Sequence, residues 1–338
     1  MKLLKTVLSY GLPLVFAVLL VWYTFKGVDI DQMWLSIADA NYFYIVLSAL
    51  PMTVAHWSRG RRWQLLLQPL GHKLTSFDAF LAVMSGYFGN LIVPRMGEVT
   101  RCAVLQKRNN IPLNESVGTV VVERVFDIVM LLFITALAFL FEFTKLTTFF
   151  TDKLAQKQAL ADAQPQTDNN GLIIGLVVGI VVVLLIGFIA FKFRDRLMNN
   201  KFVPKIKQFL LGLWEGILSI KKLERPKEFI FHTVLIWVGY YFTLYLSMFA
   251  LGATANLGIL AAFTILVVGS FGMVAPVQGG LGAYHWIVTM GLVELYQVDK
   301  IPAAGAATLF HTSQTIYTFL VGALCSLWVL VDKSKVKG

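Results

Sequence analysis

The densest polar run in the chain is Asn90-Leu91-Ile92-Val93-Pro94-Arg95-Met96-Gly97-Glu98-Val99-Thr100-Arg101. Pro94 breaks a helix arriving from the N-terminal side, and Gly97 permits a tight turn. On a returning helix Glu98 and Arg101 are three apart and share a face. Arg95 stands at the tip or neck of that break, where a guanidinium can clamp a phosphate or carboxylate through two parallel hydrogen bonds. If the segment turns early, Arg95 is instead a plain charge at the membrane surface. The chemistry on offer is recognition of an anionic group, with Asn90 as a neutral partner.

A second group, Glu123, Arg124 and Asp127, opens an apolar stretch. Glu123 and Asp127 are four apart on one face, and Arg124 and Asp127 are three apart and can pair. Either the group is an ion pair anchoring a helix end, or it is a wall of charge beside a polar pathway. A third run, Pro276-Val277-Gln278-Gly279-Gly280-Leu281-Gly282-Ala283-Tyr284-His285, reads as an exposed turn and a helix start, whose free N–H groups favour an anion. Gln278, Tyr284 and His285 are the side chains it supplies. His56, His311 and Gln314 lie in or beside apolar segments and read as interhelical hydrogen-bonding groups. Cys102 and Cys325 have no C-x-x-C or Cys/His neighbour, so neither a disulfide nor a metal site is expected. No H-E-x-x-H, G-x-S-x-G or Walker lysine loop is present, so no cofactor or enzyme motif is read here.

These groups must be positioned inside lipid. The 338 residues are 57% hydrophobic and only 14% charged, with mean hydropathy +0.70, against about 25% charged in a soluble domain. A soluble enzyme and a disordered chain are excluded. The net charge of +10 is the excess expected of cytoplasmic loops in a membrane protein, so no nucleic-acid partner is inferred. Six stretches approach the 20 or so apolar residues a span requires: Thr6–Phe25, Tyr42–Trp57, Val120–Phe143, Leu172–Phe191, Phe229–Leu251 and Pro302–Val331. Tyr42–Trp57 is short unless it continues through the turn at Arg59–Arg62. Phe80–Val93, and Leu257–Ala275 with the run to about Leu295, are interrupted by glycine and proline and read as re-entrant hairpins.

Charge placement supports that order. With the N-terminus, 59–77, 95–110, 194–228 and 332–338 in the cytoplasm, 22 of the 29 Lys and Arg lie inside and 5 outside. The expected fold is all-α: a polytopic membrane helix bundle of about six full spans and two re-entrant hairpins, arranged as an inverted-topology repeat. Residues 1–143 form the first half, 144–170 a non-cytoplasmic linker and 171–338 the second half. Within the second half, 201–228 includes an amphipathic stretch, Phe202 to Ile220, that lies on the cytoplasmic leaflet or packs under the bundle.

The pattern N-x3-P-R-x-G-E-x2-R over Asn90–Arg101, then Glu123-Arg124-x2-Asp127, then Pro276-x2-Gly279-Gly280-x-Gly282, resembles the flippase-like family. That family is the membrane region of lysylphosphatidylglycerol synthases and its stand-alone relatives, and the resemblance covers essentially the whole chain. It implies a stand-alone, non-catalytic member in a bacterial inner membrane, and the charge placement puts both termini in the cytoplasm. The implied function is that of a lipid flippase or scramblase moving a polar-headed, anionic lipid between leaflets. The alternative is a membrane subunit that presents lipid or glycan to a partner synthase. Membrane lipids, a second copy of the chain and a lipid- or glycan-modifying synthase are the implied partners. The resemblance assigns the head group to Asn90, Arg95, Glu98, Arg101, Glu123, Arg124 and Asp127, and the breaks to Pro94, Gly97, Pro276, Gly279, Gly280 and Gly282. Where such proteins often carry a glutamate after the glycine turn, this chain has His285, a neutral or titratable imidazole in place of a carboxylate.

Overall fold

The computed structural model describes residues 15–93, 96–143, 145, 147, 148, 151, 155, 223–275 and 277–332. The chain divides into two compact units, one made of Met1–Lys145 with Ile220–Gly338 and the other of Leu146–Ser219. All the geometry below belongs to the first. The expected span Leu172–Phe191, the amphipathic stretch near 201–220 and the residues Pro94, Arg95 and Pro276 lie outside the described residues.

Every described element is helical. The helices longer than two turns are α1 (Val15–Phe25), α2 (Ile30–Ala38), α3 (Tyr42–Leu67), α4 (Ser76–Ile92), α5 (Gly97–Asn109), α6 (Leu113–Phe141), α7 (Pro226–Met248), α8 (Gly258–Val274), α9 (Ala283–Tyr296) and α10 (Lys300–Val331). Side-chain caps start several of them. Asp29 accepts from the Gln32 N–H at α2, Asn41 from Phe43 at α3, and Thr75 from Asp78 at α4. Among the described residues α6, α7 and α10 are long and apolar enough to cross a bilayer, and α2 with α3 forms a fourth candidate bent by 75°. The chain is a multi-pass membrane protein.

The segment Arg59–Arg62 is not the turn expected from sequence: α3 runs unbroken to Leu67, with Arg59, Arg62 and Trp63 buried.

α4 and α5 fold back on one another as a hairpin whose open ends meet where Arg108 Nη2 lies 3.2 Å from Asp78. Glycine makes the close packing possible, but not as the sequence suggested. Gly97 has an ordinary backbone and is absent from the positive-φ positions. It is needed because a Cβ there would overlap the Gly86 carbonyl oxygen and the Asn90 amide. The glycine turn before α9 does require freedom, with φ of +57° at Gly279, +76° at Gly280 and +79° at Gly282.

The packing is matched in two sets. α3 lies antiparallel against α7, with Tyr44 beside Phe249 at one end and Arg61 bonded to Glu228 at the other. α4 packs on α5, α3 and α10, while α8 packs on α9, α7 and α6. α5 adjoins α6 as α9 adjoins α10. α5 ends on Asn110 and α9 on Gln297, the two non-glycine residues with positive φ among those described, at +55° and +54°. At each cap the next N–H reaches back to the preceding helix, from Ile111 to Leu105 and from Val298 to Leu292. The long helices α6 and α10 run between these two corners: α6 leaves the Asn110 corner and ends at Glu142, which accepts from Tyr296 Oη at 3.1 Å. α10 leaves the Gln297 corner and ends at Asp332, 2.9 Å from Arg108.

Candidate functional site

The charged residues singled out from sequence converge where α3, α5 and α6 meet. Glu123 has no solvent exposure and lies 2.6 Å from Arg59, 3.3 Å from Arg62 and 2.9 Å from Arg101. Asp127, one helical turn on, lies 2.8 Å from Arg59, 2.6 Å from Arg62 and 3.2 Å from Arg124. Arg124 also reaches Glu98 at 3.0 Å, through a pair half-open to the surroundings. The Arg101 guanidinium sits over the Trp63 ring, 4.7 Å from its centre.

α6 supplies both acceptor carboxylates from one face because Glu123 and Asp127 are four apart. The predicted Arg124–Asp127 pair is present. Glu98 and Arg101 share a short helix but address different partners. Arg59 and Arg62, three apart on α3, were missed as site residues because they interrupt an apolar run and resemble loop charges. The signal for them was the shortness of Tyr42–Trp57, which becomes a sufficient helix only if it continues through both arginines.

Among the described residues four arginines therefore face three carboxylates, an excess of one positive charge. Two buried donors of Arg101, Nε and Nη2, have no hydrogen-bond partner among the described residues, nor do Arg59 Nε and Arg62 Nε and Nη1. A buried, unpaired cationic donor costs on the order of 1–3 kcal/mol or more, so this arrangement is suited to accepting an anion. Beside it lies a shallow, half-open notch lined by Gly86, Tyr87, Asn90, Gly97, Glu98, Arg101 and Arg124. Asn90 spans the break in the hairpin: its Oδ1 accepts the Gly97 N–H at 2.6 Å, so that oxygen is already engaged.

The glycine turn forms a separate cluster. Gln278 donates to the Leu91 carbonyl at 2.6 Å, joining the turn to the end of α4. Tyr284 and His285 are buried. At the start of α9 the Gly282 N–H is directed at His285 Nδ1 at 3.3 Å, so one of the N–H groups of that helix start is engaged by the imidazole. His311 Nε2 is hydrogen-bonded to the Gly279 carbonyl at 2.7 Å, as expected of it, and its ring lies 4.7 Å from that of His285. His56 differs from its expected role: it is buried among Tyr87, Tyr240 and Tyr317, and neither ring nitrogen has a hydrogen-bond partner among the described residues.

Comparison with known proteins gives concordant results. The family model for the lysylphosphatidylglycerol synthase transmembrane region matches residues 10–322. Over 323 residues the chain is 26% identical to Glycosyltransferase AglD of Haloferax volcanii, covering 89% of this chain and 51% of AglD. The chain thus spans about half the length of that relative. It is 25% identical over 255 residues to UPF0104 membrane protein MJ1078 of Methanocaldococcus jannaschii, covering 74% of this chain and 97% of that protein. A second protein of that organism, UPF0104 membrane protein MJ1595, is 32% identical over 111 residues, 32% of this chain and 33% of its own. No solved structure gives a significant match.

Proposed function

We propose, from the premise that this chain belongs to the lysylphosphatidylglycerol synthase transmembrane-region family, that it is a non-catalytic lipid flippase or scramblase. Its cargo is a lipid with an anionic polar head group. The observation that carries this reading is the positive excess of the arginine network, with unpaired Arg101 donors beside an open notch. Arg101 and Arg124 receive the head group there. Glu98, Glu123 and Asp127 hold the guanidinium groups in place, and the acyl or polyprenyl tails remain in lipid.

The matched packing sets support an inverted repeat. The two sets are exchanged about the contact between α3 and α7, and because those helices are antiparallel, the exchange axis lies across them, in the plane of a membrane they span. The hairpins α4–α5 and α8–α9 then enter from opposite sides without crossing. At about 25 Å each, α4 and α8 fall short of the roughly 30 Å hydrocarbon core. The basic corner around Lys73, Lys107, Arg225 and Lys227 faces the cytoplasm of a bacterial inner membrane.

The deciding experiment uses purified protein alone in liposomes carrying a head-group-labelled anionic lipid. Loss of label protection by the outer leaflet, abolished by Arg101→Met with Arg124→Met, supports transport. A second reading, a membrane subunit presenting lipid or glycan to a synthase, is favoured by the glycosyltransferase name of AglD, of which this chain matches about half. Under that reading the isolated protein moves no lipid but retains one lipid class through purification.

A further inference from the structure

The two packing sets correspond in register, with few identities between their sequences beyond Phe80 with Phe263, Gly86 with Gly269 and Gly89 with Gly272. Counting from the left-handed caps, Glu98 precedes Asn110 by the same twelve positions by which His285 precedes Gln297. Arg124 follows Asn110 by the same fourteen by which His311 follows Gln297. Independent contacts fix this register. Gly86 abuts Gly97 and Arg101 on α5, and Gly269 abuts Tyr284 and Val288 on α9, the same four-residue step. Gly89 abuts Thr100, and Gly272 abuts Ile287, three positions beyond in each case. Trp57 of α3 meets Phe80 of α4 at 5.5 Å between ring centres, and Tyr241 of α7 meets Phe263 of α8 at 6.3 Å. Gly239 faces Ala55 at the centre of the α3–α7 contact.

In this register the ion pair Glu98–Arg124, which joins α5 to α6 at 3.0 Å, has as its counterpart the ring contact His285–His311, which joins α9 to α10 at 4.7 Å. We infer that His285–His311 is the second of two gates, and that it separates on the opposite side of the membrane from Glu98–Arg124. The inference rests on the lipid-transport reading and extends it. In an inverted repeat the two access states are produced by exchanging the conformations of the halves. A contact that closes one half therefore has a working equivalent in the other. The chemistry of the two gates differs. The first offers a guanidinium to a phosphate or carboxylate. The second offers ring N–H and lone-pair groups, now engaged by the Gly279 carbonyl and the Gly282 N–H, and so passes the head group without holding it by charge. Gly282 bears directly on α1, where a Cβ would meet Ala17, Leu20 and Val21, so separation of the imidazole pair moves the glycine turn against that helix.

The test bridges the histidine pair reversibly. In full-length protein with Cys102→Ala and Cys325→Ala, cysteines replace His285 and His311. A short bis-methanethiosulfonate reagent links them, since side chains that meet at their tips need not meet disulfide geometry, and reductant releases the link. Two residues that merely pack together tolerate being tied, whereas a gate does not. We expect the link to stop lipid exchange in liposomes and reductant to restore it, which also shows that the linked protein remained folded. If the linked histidine pair exchanges lipid at the unlinked rate, the second gate is overturned and transport stands. If the unmodified protein exchanges no lipid, the transport reading fails and the gate with it.

Discussion

Glu123 is the residue on which the charge network turns, because three arginines share it and no water reaches it. Removing its charge leaves Asp127 as the one other carboxylate that Arg59 and Arg62 reach among the described residues. Breaking one side of a buried ion pair costs about 3–5 kcal/mol. Glu123→Gln is therefore expected to lower the apparent melting temperature in detergent more than Asp127→Asn, whose carboxylate is 14% exposed. Adding Arg101→Met to Glu123→Gln removes an uncompensated cation and should recover part of the loss. At the same scale Arg101→Lys keeps the charge but not the planar fork. Its expected effect is about tenfold weaker retention of the co-purifying anionic lipid, roughly 1.4 kcal/mol, with little change in melting temperature. Quantitative lipid mass spectrometry of wild type and variant checks it, and equal retention removes Arg101 from the head-group site.

At the scale of elements, glycine decides how closely helices approach, and the sequence conceals which glycines matter. Gly97 and Gly118 look alike in a composition count. A methyl on Gly97 would run into the backbone oxygen of Gly86, whereas a methyl on Gly118 meets nothing within 4 Å. Gly97→Ala should open the α4–α5 hairpin and cut the yield of folded, monodisperse protein, because the obstructing atom is backbone and cannot rotate away. Gly118→Ala lies in the helical α6 and should leave folding intact or raise stability by about 0.5–1 kcal/mol through helix propensity. Size-exclusion profiles of the two variants, made side by side, separate these outcomes. The long helices α6, α7 and α10 were legible because their apolar runs are continuous. The C-terminal third of α3 was not, since Arg59 and Arg62 are acceptable in a helix only once α6 supplies Glu123 and Asp127, a compensation no local window contains. The glycine turn was legible from its three glycines. The role of His285 at its helix start was hidden, because it depends on the positive φ of Gly282 placing one N–H against the imidazole.

For the whole molecule, the matched corners carry a consequence that local features do not. α6 contains 29 residues, about 43 Å of helix, and its two ends lie at the Asn110 corner and beside Tyr296, next to the Gln297 corner. A helix of that length and hydropathy, set across a bilayer, places its ends in different aqueous compartments. Among the described residues Lys73, Lys107, Arg108, Arg225 and Lys227 lie near the first corner, against Lys26, Lys145 and Lys300 near the second, where Asp29, Asp39, Glu142, Glu294 and Asp299 outnumber them. Positive charge in short loops is retained in the cytoplasm. Single cysteines introduced at Lys107 and at Glu294, in protein lacking Cys102 and Cys325, should thus be labelled by an impermeant thiol reagent from opposite faces of sealed vesicles. In inside-out vesicles Lys107→Cys reacts and Glu294→Cys does not, and in right-side-out vesicles the preference reverses. Labelling of both from one face would mean that α6 does not cross the bilayer, and would overturn an axis in the membrane plane. The antiparallel contact of α3 with α7 favours that in-plane axis, since a parallel repeat would run those two helices in the same direction.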